Sequence, residues 1–89
     1  MEKTAFLTDQ EIIDASISGN ENAFAEIVRR YESRVAATVI GMLGHCPEAD
    51  DVGQETFIRF FKSMRKFRGE SAVGTYLIRI AMNLSLNEL

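Results

Sequence analysis

The sequence predicts an all-α fold, a compact bundle of about four helices with no sheet. Three observations carry this. Apolar residues recur at helical spacing in four successive segments. The 89-residue chain has one proline, and its glycines stand mostly at segment ends, as expected of long helices joined by short turns. No segment alternates apolar and polar residues with the period of a strand. The length fits one small domain, residues 1–89, near the lower edge of what a single core can stabilise. At 46% hydrophobic residues, burial is sufficient for a folded chain.

The elements follow in order. Thr8 followed by Glu11 reads as a capping box that opens a short helix, with Ile12, Ile13 and Ile17 as its apolar stripe and Gly19 near its end. Asn20 is placed to cap a second, longer helix. Phe24, Ile27, Val28, Tyr31, Val35, Val39 and Met42 hold a helical period up to Gly44, a C-terminal cap. The stretch from Glu21 to Leu43 should span roughly 34 Å. Pro47 suits the first turn of a third helix, with Glu48, Asp50 and Asp51 at its positive end. This helix is expected to reach about Lys66. Phe67 to Glu70 forms a loop, and Ser71 is placed to cap a fourth helix. The apolar series Val73, Leu77, Ile80, Leu84 is still running near Leu89, which reads as a fragment of a longer protein.

The formal net charge of −3 is unevenly distributed. Residues 1–58 carry four Lys/Arg against eleven Asp/Glu. Residues 59–79 carry Arg59, Lys62, Arg65, Lys66, Arg68 and Arg79 against Glu70 alone. An acidic body with one basic segment gives either a local footprint for an anion or a solvated helix face.

The third helix bears apolar residues on two sides. Gly53, Thr56, Phe57, Phe60, Met64 and Phe67 form an ordinary core stripe at 100° intervals. The opposite side holds Asp51, Gln54, Glu55, Ile58, Phe61, Lys62 and Arg65. An apolar pair inside a polar rim is the pattern of a partner site. Single exposed hydrophobes are also normal, and Phe61 has the alternative of tucking under another helix.

On the fourth helix Val73, Leu77, Ile80 and Leu84 are expected inside, with Thr75, Arg79, Asn83 and Leu86 on the other side and Tyr76 at the border. Threonine, arginine and asparagine can bond base edges or phosphates. A neighbouring aromatic can stack on an unpaired base. The preceding loop joins the basic cluster Arg65, Lys66, Arg68 to Gly69 and a helix N-terminus, a combination that attracts anions. A plain amphipathic helix with a structural tyrosine remains the alternative.

The run Asp51-Val52-Gly53-Gln54-Glu55-Thr56-Phe57, then Phe67-Arg68-Gly69-Glu70-Ser71, then Thr75-Tyr76-Leu77-Ile78-Arg79-Ile80-Ala81-Met82-Asn83 resembles the central signature of extracytoplasmic-function RNA polymerase sigma factors. The typical form reads D-L-V-Q-E-T-F, F-R-G-E-S and T-W-L-Y-R-I-A-x-N. Ala23 to Tyr31 is similar to the family's preceding helix. The resemblance implies a sigma region-two domain, part of a longer two-domain factor. Asp51, Gln54 and Glu55 would dock on the coiled coil of the core RNA polymerase clamp, with Ile58, Phe61 and Lys62 as same-face neighbours. Lys66, Arg68, Gly69, Glu70 and Ser71, with Thr75, Tyr76, Arg79 and Asn83, would bind the non-template strand of the minus-ten promoter element and hold a flipped base. An anti-sigma factor is a further partner that the family often has.

Two positions depart from the pattern. Val73-Gly74 stand where an aromatic and a basic residue are usual, and Tyr76 replaces the usual tryptophan with a smaller ring.

An enzyme is not expected, since no nucleophile–base arrangement or phosphate-cradling glycine loop is visible. His45 and Cys46 lack the paired spacing of a zinc site, so neither metal nor cofactor is implied. The lone cysteine and the absence of a bilayer-length apolar run point to a cytoplasmic protein with no membrane partner. The competing function is a helical protein-interaction module with no direct DNA role.

Overall fold

The computed structural model describes residues 7–66 and 72–89. Four α-helices follow one another: α1 Asp9–Ile17, α2 Glu21–Leu43, α3 Pro47–Ser63 and α4 Val73–Glu88. A 3-10 turn at Met64–Lys66 extends α3. No strand occurs among the described residues. α2 is the scaffold, packing on α1, α3 and α4, while α3 and α4 pack on each other. The longest dimension of the molecule, 37 Å, is close to the rod that 23 helical residues make at 1.5 Å each.

Local chemistry fixes most helix ends. Thr8 Oγ1 accepts from the Glu11 amide at 3.2 Å, and the Thr8 amide donates to Glu11 Oε1 at 2.9 Å. This reciprocal pair satisfies two otherwise orphaned donors at the start of α1. Gly19 has φ +107°, and Asn20 Oδ1 then accepts from the Ala23 amide at 3.2 Å to open α2. α2 stops at Gly44, where φ is +85° and the amide donates to the Ile40 carbonyl at 2.8 Å. Pro47 is the first residue of α3, where its missing N–H costs no intrahelical bond. Cys46 holds the N-cap position and its thiol donates to the Leu43 carbonyl at 3.7 Å.

α4 begins one residue later than a Ser71 cap implies. Its N-cap is Ala72, which makes no side-chain capping bond. Ser71 itself, with Phe67, Arg68, Gly69 and Glu70, lies outside the described residues.

The core combines Ile12, Ile13, Ile27, Val35, Val39, Phe60 and Leu77, all at most 1% exposed. Each such side chain contributes about 1.5–3 kcal/mol when fully buried. Thr56 is equally buried, and its hydroxyl is satisfied by donating to the Val52 carbonyl at 2.8 Å. The α3 stripe also takes in Ala49 and Val52, while Gly53 and Phe57 are only half-buried. On α4 the expected inward series is corrected in part. Val73 and Leu77 are buried, but Ile80 and Leu84 are half-buried, and Gly74, Ala81 and Ser85 take the innermost positions. The helix is rotated toward its small residues because small side chains let helix backbones approach closely, and close packing then outweighs burial of the larger neighbours.

α1 is tied to α2 by a polar junction beside this core. Asp9 accepts from Arg30 Nη1 at 2.9 Å and from the Tyr31 hydroxyl. Arg30 Nε also reaches Glu26 at 3.0 Å. Hydrogen bonds from Arg30, then Arg29, hold the Glu26 carboxyl below its usual range. Burial, reinforced by the bond to Asp9, raises the Tyr31 phenol above its usual value.

Candidate protein and nucleic-acid surfaces

The outer side of α3 is as open as the sequence pattern requires. Asp51, Gln54 and Lys62 are exposed, and Glu55 is partly so. Glu55 is not buried by partners; its carboxylate accepts from Arg59 Nε at 3.0 Å in an i,i+4 pair on the surface. Ile58 is 46% and Phe61 51% exposed. Two apolar side chains one turn apart thus stand among carboxylates, an amide and a lysine.

Phe61 does not project freely. Its ring meets Phe24 of α2 edge-on with centroids 4.9 Å apart. Phe24 in turn stacks on buried Phe60 at 6.4 Å and 19°. Phe61 therefore has one side packed and one side presented. Of the two sequence alternatives for this residue, tucking against another helix is met on one side of the ring, and the other side stays open. Such packing fixes the ring and lowers the entropy cost of using its open side.

Gln54 also borders a groove between α2 and α3, about 550 Å³ in volume, floored by Val28, Val35, Ile40 and Phe57 and edged by Glu32 and Asp50. Glu32 and Ala36, on α2, extend the acidic and apolar character of the α3 face. Sequence reasoning missed them because α2 was read only for its inward stripe.

The second surface runs from the end of α3 to α4. Arg65 and Lys66 are exposed in the 3-10 turn. On α4, Thr75, Arg79 and Asn83 are exposed and lie in one row at i, i+4 and i+8. Of the nucleic-acid residues expected from the sequence, Lys66, Thr75, Tyr76, Arg79 and Asn83 are described, and Arg68, Gly69, Glu70 and Ser71 are not.

Tyr76 is half-buried. Its hydroxyl donates to Ser63 Oγ at 2.9 Å, and its ring meets Phe60 edge-on at 5.7 Å. The tyrosine is thus a structural link, as the plainer sequence reading expected, and its half-exposed ring keeps it a candidate stacking surface.

A second groove, about 440 Å³, lies between α2 and α4, and Thr75, Arg79 and Asn83 line it together with Arg34. Arg34 comes from α2 and belongs to none of the motifs. The two grooves differ in charge. Among the described residues, the α2–α3 groove is bordered by carboxylates and no cation, the α2–α4 groove by two arginines and no carboxylate. The chain thus segregates a protein-like acidic and apolar face from a face suited to an anion.

No group of three or more His, Cys, Asp or Glu side chains that could hold a metal occurs among the described residues. No described helix is long and apolar enough to cross a membrane.

Comparison with known proteins identifies the family and the fold. Residues 27–89 match the family model for sigma-70 region 2. The chain is 35% identical over 81 residues to the RNA polymerase sigma-H factor of Pseudomonas aeruginosa, covering 91% of this chain. It is 40% identical to the ECF RNA polymerase sigma-E factors of Haemophilus influenzae, over 83 residues, and of Escherichia coli K12, over 85 residues, covering 93% of this chain in both cases. The chain spans only 42% to 43% of the length of these relatives. Among solved structures it is similar to an engineered region 2 of sigmaE determined by NMR in complex with GTAAAA. The TM-score is 0.83 at 33% identity, covering 92% of this chain and 85% of that one. The motifs, the four-helix architecture and the match over residues 27–89 converge, and the chain belongs to the sigma-70 region 2 family.

Proposed function

We propose that this chain is a transcription-initiation module, the region-two part of an extracytoplasmic-function sigma factor. In this reading it docks on the clamp coiled coil of core RNA polymerase and captures the non-template strand of the minus-ten promoter element. The observation that carries the reading is the pairing of two exposed faces of opposite character on adjacent helices. Asp51, Gln54, Glu55, Ile58, Phe61 and Lys62 serve the protein partner. Lys66, Thr75, Tyr76, Arg79 and Asn83 serve the strand, with Arg68, Gly69, Glu70 and Ser71 added by resemblance to the family. The related sigmaE region 2, bound to GTAAAA, supports the second assignment.

The module works by binding, not by catalysis. Separating DNA base steps costs about 1.4 kcal/mol each. A surface that accepts single-stranded DNA and not duplex shifts the equilibrium toward the open state by its differential affinity. Cations on α4 and the 3-10 turn neutralise phosphates, and a base freed from the stack gains contacts that a paired base cannot make. Docking through α3 holds that surface where the strands part. The setting is the cytoplasm, and an anti-sigma factor covering the Ile58/Phe61 face would switch the module off.

Co-purification with core RNA polymerase tests the reading. Retention of the chain, together with capture of single-stranded but not duplex GTAAAA, is the expected result. A chain that ignores polymerase is not this module and would leave the helical interaction protein as the better account.

A further inference from the structure

Arg34 stands apart from the other arginines of α2. Arg29 pairs with Glu26, and Arg30 pairs with Glu26 and Asp9. Arg34 pairs with no carboxylate among the described residues. It is nevertheless held in place. Its guanidinium carbon lies 5.0 Å from the centroid of the Tyr31 ring, a cation–π distance. That ring is itself anchored through its hydroxyl to Asp9.

Gly74 completes the arrangement. A Cβ at this position would stand 2.9 Å from Arg34 Nη1 and 2.9 Å from Tyr31 Cε1. The guanidinium therefore fills the space that a side chain on α4 would otherwise occupy. A cation from α2 is thereby delivered to the surface of α4, into the groove lined by Thr75, Arg79 and Asn83. Arg79 also pairs with no carboxylate among the described residues. Two arginines facing one groove, neither neutralised by a carboxylate among the described residues and sharing its lining with the neutral hydrogen-bonding Thr75 and Asn83, are unfavourable to each other and favourable to a polyanion. Arginine is the side chain suited to phosphate recognition from a fixed orientation.

We propose that Arg34 and Arg79, brought to one groove from α2 and α4 by the absence of a side chain at Gly74, bind the phosphodiester backbone of the same DNA strand. The inference rests on the DNA reading given above and adds to it a residue that lies outside the motifs. Arg34 positions the strand and carries no sequence preference, because phosphate contacts are blind to the base.

The test uses the full 89-residue chain and fluorescence anisotropy with two single-stranded hexamers, GTAAAA and a permuted sequence, across a salt series. Arg34→Gln should weaken both on the order of 3- to 10-fold and lower the slope of log affinity against log salt by about 0.7, the value for one phosphate on a single strand. Arg34→Lys should restore most of the slope. Arg29→Gln removes the same charge from the same helix outside the groove and should leave the slope unchanged. Circular dichroism confirms that each variant is folded. If Arg34→Gln behaves like Arg29→Gln, the assignment is overturned while the DNA reading stands. A loss confined to GTAAAA also overturns it, since that would be base recognition. If the unaltered chain binds neither hexamer at low salt, the DNA reading falls and takes this assignment with it.

Discussion

The Tyr76 hydroxyl donates to Ser63 Oγ at 2.9 Å, joining the proposed DNA-facing helix to the last turn of the proposed polymerase-facing helix. Ser63 passes the bond on to the Phe60 carbonyl at 3.4 Å, at the far end of the core stripe of α3. The two helices therefore share a polar strut between residues 13 positions apart in the chain. Tyr76→Phe keeps the ring against Phe60 and removes only the strut. The expected loss is about 0.5–1.5 kcal/mol in urea unfolding, with single-strand affinity changed little if the open side of the ring is what stacks.

The proposed polymerase face separates binding from stability. Gln54→Ala with Glu55→Ala should abolish retention on core polymerase, yet cost little in folding, because the Glu55–Arg59 pair is exposed and such i,i+4 pairs contribute about 0.3–0.5 kcal/mol. Ile58→Ser should act in the same way. Phe61→Ala should differ, since the edge contact to Phe24 adds about 0.5–1.5 kcal/mol beyond burial. Undiminished polymerase retention in the double variant, measured by pull-down, would remove α3 from the docking account.

Gly74 and Gly41 make a matched pair. Both lie in helices, where alanine is favoured over glycine by about 0.8–1.0 kcal/mol. A Cβ at Gly41 meets nothing within 4 Å, so Gly41→Ala should stabilise the fold by nearly that amount. A Cβ at Gly74 collides with the Tyr31 ring, which its bond to Asp9 prevents from swinging away. Overpacking of this kind costs about 1–3 kcal/mol, so Gly74→Ala should destabilise on balance. Opposite shifts in urea midpoint are the signature.

Ser85 is fully buried and its hydroxyl has no hydrogen-bond partner among the described residues. Ser85→Ala removes the desolvation penalty and improves helix propensity, so the fold should gain about 1 kcal/mol. Thermal melting of the variant checks the sign.

The junction at Asp9 predicts pH dependence at both extremes. Glu26 has a folded pKa below its unfolded value near 4.5. Its contribution is fully present above that value and is lost as pH falls through the lower folded value. Tyr31 has a folded pKa above its unfolded value near 10.0. Its contribution is fully present below 10.0 and is lost as pH rises through the higher folded value. Glu26→Gln should flatten the acid limb of the urea midpoint against pH, and Tyr31→Phe the alkaline limb.

Most helix bounds were legible in the sequence because their causes are local. The Thr8–Glu11 box, the Asn20 cap, the turn at Gly44 and Pro47 at the head of α3 each act within a few residues. The α3 surface was legible too, since Ile58 and Phe61 break the polarity of a face that periodicity alone defines. The α4 series was met only in part at Ile80 and Leu84, which pack on the edge of the core, because hydrophobicity predicts which residues prefer burial, whereas the approach of α2 depends on where the small ones lie.

Sequence by itself determined four helices and their order, since each follows from repeats and caps no longer than a turn or two, and it marked the two faces as candidates. Only tertiary structure decided that Phe61 rests on Phe24, that Tyr76 reaches Ser63, and that Arg34 lies over Gly74. The last contact joins residues forty positions apart in the chain. No local rule couples them; they meet because α4 packs on α2 where the missing side chain of Gly74 leaves room for a cation.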